Sequence, residues 1–263
     1  MKQTSKSYQM KQQKFTIDGS KGKLSCIMTY PEKDDQKYPI AILMHGFMAN
    51  KRLEPLKSIA KALSEAGVAS LRFDFNGHGR SEGRFCEMNV LNEIEDAEKV
   101  YAYVRSLPEV TKIGLLGHSQ GGVVAGMIAG RHAGTGSEPA CIVQLAAAAV
   151  LRDDALNGVL MNKKYDPANP PEKLNVMFHK VGQSYFKVAQ TLPIYEESSK
   201  YTGPVCLIHG TEDSIVPCSY SERYHELYAD SELHILENET HFLNKRRKEV
   251  IQKSCDFLAK YLY

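Results

Sequence analysis

In the run LLGHSQGGVVAG, Ser119 stands two residues from Gly117 on one side and two from Gly121 on the other. A serine hydroxyl becomes a useful nucleophile only when a base takes its proton and an acid orients that base. Both types follow in the chain. Asp213 lies in HGTEDSIVP after one apolar run, and His241 lies in ENETH after another. The order Ser119, Asp213, His241 fits acyl transfer from a nucleophile held at a strand-to-helix turn. Glu212 is the rival acid, while His225 and His234 are the rival bases. His118 adjoins the nucleophile and cannot easily fold back onto it, and His209 ends a strand beneath the site. Acyl transfer also needs donors for an oxyanion. The backbone N–H groups of Gln120 and of Phe47, in His45-Gly46-Phe47, are the expected pair.

These residues need elements to hold them. Strands are predicted at 15–17, 24–29, 40–45, 68–73, 113–116, 141–145, 205–209 and 233–236. The first two alternate polar and apolar, as an exposed antiparallel edge does. The later ones are continuously apolar, as strands covered on both faces must be. Leu53, Leu56, Ile59, Ala60 and Leu63 recur at helical spacing, as do Val90, Ile94, Ala97, Tyr101 and Val104. In the second set Asn89 is placed to cap the helix, and Glu93, Glu95, Asp96 and Lys99 fall on its other faces. Strand–helix alternation predicts an α/β fold with a mostly parallel, doubly wound sheet of about eight strands. Residues 151–201 break the rhythm and exceed an ordinary connection. They read as an inserted cap between the sixth and seventh strands, with 1–150 and 202–263 forming the core.

Composition narrows the class. The chain has 263 residues, 43% of them hydrophobic and 24% charged, with a formal charge of +2. That charge is too small to argue for nucleic acid or a membrane surface, and the basic run at 244–248 reads as the solvated face of a terminal helix. The polar N-terminus lacks the apolar core of a signal peptide, and no stretch matches a membrane span. Six scattered cysteines without CxxC spacing read as free thiols, so the expected compartment is the cytoplasm. No HExxH, P-loop or GxGxxG pattern calls for a metal or cofactor. DFNGHGRS at 74–81 reads as turn chemistry, His78 and Arg80 included. The expected partner is a small-molecule ester, and the expected assembly is a monomer or homodimer.

Together HGF, GHSQG, HGTEDSIVP and ENETH resemble the α/β-hydrolase superfamily across nearly the whole chain. More narrowly, ILMHGFMANK, SLRFDFNGHGRSEG, MNVLNEIEDA, LGHSQGGVVAGMIAG and LPIYEES resemble bacterial feruloyl (cinnamoyl) esterases. The resemblance implies hydrolysis of hydroxycinnamoyl esters, feruloyl or p-coumaroyl, under a small insertion that shapes the pocket. It places Asp154 and Tyr185 toward the phenolic end of the substrate, with Tyr165 and Phe186 of suitable type beside them. A general carboxylesterase or monoacylglycerol lipase would use the same chemistry on aliphatic esters. A non-catalytic receptor of the same fold would need neither Asp213 nor His241.

Overall fold

A computed structural model describes residues 11–31 and 37–263. Most of the polar N-terminal stretch weighed above as a leader, residues 1–10, lies outside the described residues. In chain order the elements begin with β1 (Gln12–Gly19), β2 (Gly22–Thr29), β3 (Tyr38–Met44), α1 (Leu56–Glu65), β4 (Ala69–Phe73) and α2 (Val90–Arg105). Then come β5 (Val110–His118), α3 (Gln120–His132), β6 (Cys141–Leu145) and α4 (Val150–Leu156). Two small hairpins follow, β7 (Val159–Leu160) with β8 (Lys163–Lys164), and β9 (Lys173–Val176) with β10 (His179–Gly182). The chain ends through α5 (Gln183–Thr191), α6 (Ile194–Ser198), β11 (Val205–Gly210), α7 (Ser219–Leu227), β12 (Ser231–Leu236) and α8 (Arg247–Leu262).

Eight strands form one sheet in the order β1-β2-β4-β3-β5-β6-β11-β12. The pairs β1–β2 and β2–β4 are antiparallel, and every other neighbouring pair is parallel. This is the α/β-hydrolase fold. Alternation along each strand divides its side chains between two cores. Ile40, Ile42, Leu115, Ile142 and Leu207 pack with α2 and α3 on one face. Ala41, Leu43, Leu116, Val143 and Ile208 pack with α1 and α8 on the other. Covering both faces explains why these strands read as unbroken apolar runs.

The helices follow their sequence signals, with two departures. Asn89 caps α2, its side chain accepting from the N–H of Asn92. By contrast, α1 begins at Leu56 rather than Leu53, which is 49% exposed. Pro55 precedes its first residue, where a missing N–H costs nothing. The second departure is on α2, where Glu93 and Asp96 are buried rather than solvated. Residues 244–246 of the basic run precede α8, and the whole run is exposed. All six cysteines are free, four of them buried. No helix among the described residues is long and apolar enough to cross a membrane.

Candidate active site

Ser119 is the single residue between β5 and α3, with φ 57° and ψ −123°. A positive φ is costly for a residue with a Cβ and persists only where the surroundings enforce it. Here β5 must stop and α3 must start within one residue. The turn leaves no room for side chains around it. A Cβ at Gly117 would overlap the carbonyl oxygen of Gly121, and one at Gly46 would sit 2.8 Å from the Cβ of Ser119. Gly117→Ala is therefore expected to destabilise the fold by about 3 kcal/mol, read as a lower urea midpoint. An unchanged midpoint would mean the turn relaxes freely.

Asp213 follows β11 and His241 follows β12, so two loops at one end of the sheet bring them to Ser119. His241 Nδ1 lies 2.7 Å from Asp213 Oδ2, and His241 Nε2 lies 2.9 Å from Ser119 Oγ. A carboxylate only accepts, so Nδ1 carries the proton. That leaves the Nε2 lone pair facing the serine hydroxyl. Asp213 receives three further donors: the N–H groups of Ile215 and Val216 on Oδ1, and His209 Nε2 at 3.1 Å on Oδ2. Burial alone would raise this carboxyl, but His209, His241 and the backbone donors outweigh it. They hold it well below the ordinary carboxylate range.

Two further histidines fix the frame. His118 Nε2 donates to the carbonyl of His241 across 2.8 Å, tying the loop after β12 to the end of β5. Burial, then the neighbouring His241, pushes its ring down to about 3, so it stays neutral. His45 accepts from the N–H of Phe75 through Nε2 and donates from Nδ1 to the carbonyl of Gly46. Burial pushes it down to about 4. This loop is anchored further on, where the buried Lys51 ammonium pairs with Asp74 and bonds Ser25 Oγ at 3.0 Å.

Ser119 and His241 open onto a cavity of about 650 Å³, and Phe47, Gln120, Asp154 and Tyr185 line it too. Gln120 is the first residue of α3, so its backbone N–H has no partner within the helix. The Phe47 ring packs 5.2 Å from that of Tyr185, whose hydroxyl donates to Gln120 Oε1 at 2.8 Å. Asp154 is half-buried, and its carboxyl is raised by burial and then by Asp153. Leu151 and Leu160 add apolar wall. At the mouth Phe178, the hairpin tip between β9 and β10, is 96% exposed.

The rival residues lie elsewhere. Glu212 is exposed and paired with Lys245, His225 sits on α7 against Ser231, and His234 sits on β12 against Glu232. His78 is buried outside the cavity lining, against Phe85 and His45. Sequence reasoning missed the tether through His118 and the second imidazole on Asp213, and it placed Glu93 on the wrong face. Glu93 follows Val90 by three positions and precedes Ala97 by four, which is the signal that it shares their buried stripe. The described residues that could together ligate a metal ion are Cys206, Glu232 and His234, whose ligand atoms lie within 4.8 Å of one another. They occupy β11 and the edge strand β12, away from the cavity, and burial pushes the thiol up.

A family model described as serine aminopeptidase S33 matches residues 36–166. The fold is similar to Est1E from Butyrivibrio proteoclasticus, solved with ferulic acid bound: TM-score 0.89, 29% identity, covering 94% of this chain and 98% of that one. The human protein ABHD12B is 26% identical over 80% of this chain and 55% of its own length. A monoacylglycerol lipase of Mycolicibacterium smegmatis is 23% identical over 74% of this chain and 78% of its own. The chain thus spans about half the length of the human relative. Fold, sheet order and these likenesses agree: the chain has the α/β-hydrolase fold and is similar to hydrolases that share it.

Proposed function

We propose that this protein is a serine esterase in which Ser119, His241 and Asp213 act as a catalytic triad. The observation that carries the reading is the hydrogen-bonded chain from Ser119 Oγ through His241 to Asp213 at the wall of the cavity. His241 takes the serine proton as Oγ attacks the ester carbonyl. The oxyanion then lies against the backbone N–H groups of Phe47 and Gln120, each worth roughly 3–4 kcal/mol in the transition state. The dipole of α3 favours the same charge. His241 returns the proton to the departing alcohol, then draws one from the water that frees the acid. Residues 151–201 act as a cap that shapes the acyl pocket.

The substrate proposed is a hydroxycinnamoyl ester. An aromatic acid fits between Phe47, Leu151, Leu160 and Tyr185, and Asp154 offers a half-buried polar partner for a phenol hydroxyl. The likeness to a structure holding ferulic acid supports this reading. A second reading, an esterase for aliphatic chains, draws support from the exposed Met177, Phe178 and Phe242 at the cavity mouth and from the lipase relative.

The test is kcat/KM for methyl ferulate against 4-nitrophenyl butyrate and a long-chain 4-nitrophenyl ester. Comparable efficiency on methyl ferulate and butyrate is expected, despite the poorer leaving group of the former. Turnover of the aliphatic esters with methyl ferulate barely touched would assign the cavity to alkyl chains.

A further inference from the structure

Gln120 is held at both ends of its carboxamide. Its Nε2 donates to Glu93 Oε2 at 2.6 Å, and its Oε1 accepts from the Tyr185 hydroxyl at 2.8 Å. With Nε2 toward Glu93 and Oε1 toward the Tyr185 hydroxyl, both ends of the amide are bonded. Glu93 comes from α2, Gln120 from the start of α3 and Tyr185 from α5, so three elements meet at one side chain. All three residues are buried. The residue so fixed is the one that follows Ser119, and its backbone N–H is a proposed oxyanion donor.

No cation pairs with Glu93 among the described residues, and the neutral Gln120 amide is its one side-chain donor there. Its Oε1 has no hydrogen-bond partner among the described residues. His78 Nδ1 lies 3.9 Å from that oxygen but also faces the carbonyl of Asn76 at 3.0 Å, which can only accept, and so donates there. Burial keeps His78 neutral, down to about 3. The other titratable neighbours are Asp96 on α2, which adds like charge, and Tyr185 on α5, a phenol whose ionisation is suppressed.

We propose that Glu93 is a positioning residue that acts through Gln120, holding the oxyanion donor and the Tyr185 wall in place. The inference rests on the serine-hydrolase reading of the site. Burial, opposed by the Gln120 hydrogen bond and reinforced by Asp96, pushes the Glu93 carboxyl from 4.5 up to about 8. It is therefore neutral below that pH and negative above it. A negative charge behind Gln120 opposes the negative charge developing on the substrate oxygen, so reactivity falls as pH rises through this range. Neither His78 nor Tyr185 titrates there.

The experiment measures the rate at which a fluorophosphonate labels Ser119, across pH, in wild type, Glu93→Gln and Glu93→Leu. This readout needs nucleophile, base and oxyanion donors but no knowledge of the natural ester. Glutamine keeps a carbonyl acceptor for Gln120 and cannot ionise. Its rate is expected to stay within about threefold of wild type at neutral pH and to lack the alkaline decline. Leucine leaves the Gln120 amide unpaired, and displacement of the donor is expected to slow labelling about 100-fold. A folded leucine variant labelling at the wild-type rate would overturn the inference. So would an alkaline decline that persists in Glu93→Gln, a readout available even if the leucine variant fails to fold. Wild type that never labels would overturn the hydrolase reading and this inference together, whereas wild type that labels separates the two.

Discussion

Ser119→Ala lowers kcat by about a millionfold and leaves the urea midpoint close to that of wild type. The structure gives reasons for both halves of this expected result. Alanine keeps the Cβ at φ 57°, so the backbone strain of the turn is already present in the native residue. Only Oγ is lost, with its one hydrogen bond to His241 Nε2. That bond is the path by which the base would activate the nucleophile, and no other hydroxyl among the described residues bonds His241. The measurement is turnover of 4-nitrophenyl butyrate beside mass spectrometry after fluorophosphonate treatment. A variant that keeps a tenth of wild-type kcat, or still gains the adduct, removes Ser119 from the mechanism.

Asp213→Asn is the second large effect, about 10⁴-fold in kcat. Its direction follows from the donors around the carboxylate. Oδ1 accepts the N–H groups of Ile215 and Val216, so an asparagine carbonyl must occupy that side. The amide NH₂ is then forced toward His241 and His209, where Asp213 Oδ2 now accepts. His241 Nδ1 must become an acceptor, and its proton moves to Nε2. In that tautomer the ring cannot take a proton from Ser119. The loss should appear in kcat with little change in KM. A fall of less than tenfold would place the acid elsewhere; Glu212, exposed against Lys245, is poorly placed for it.

The sheet was legible because its signals are local. The central strands carry apolar runs at 40–44, 113–116 and 205–208, and the stop at Gly117–Gly121 marks where the chain must turn sharply. Ser119, Asp213 and His241, which the structure joins in one hydrogen-bonded chain, each lie just past the end of a strand. What the sequence concealed depends on long-range partners. Glu93 shares the buried stripe of Val90 and Ala97 by its spacing, but its partner Gln120 lies far along the chain. His118 is adjacent to Ser119 yet bonds a carbonyl in the loop after the last strand. His209 reads as a strand end, and its bond to Asp213 depends on how the next loop folds back. The start of α1 was missed for another reason: helical periodicity runs through Leu53, and Pro55 decides the boundary.

The turn at Ser119 needs only β5, α3 and the neighbouring β3 and β6. The bond from Ser119 to His241, in contrast, closes a loop of 122 residues. Joining such distant segments costs chain entropy that nearby pairings do not. His241 lies past β12, the outermost strand, which is held to the sheet through its pairing with β11. A chain still emerging from synthesis can therefore shape the serine turn while lacking the imidazole that would arm it. On the proposed mechanism, reactivity at Ser119 would then report that the last strand has docked.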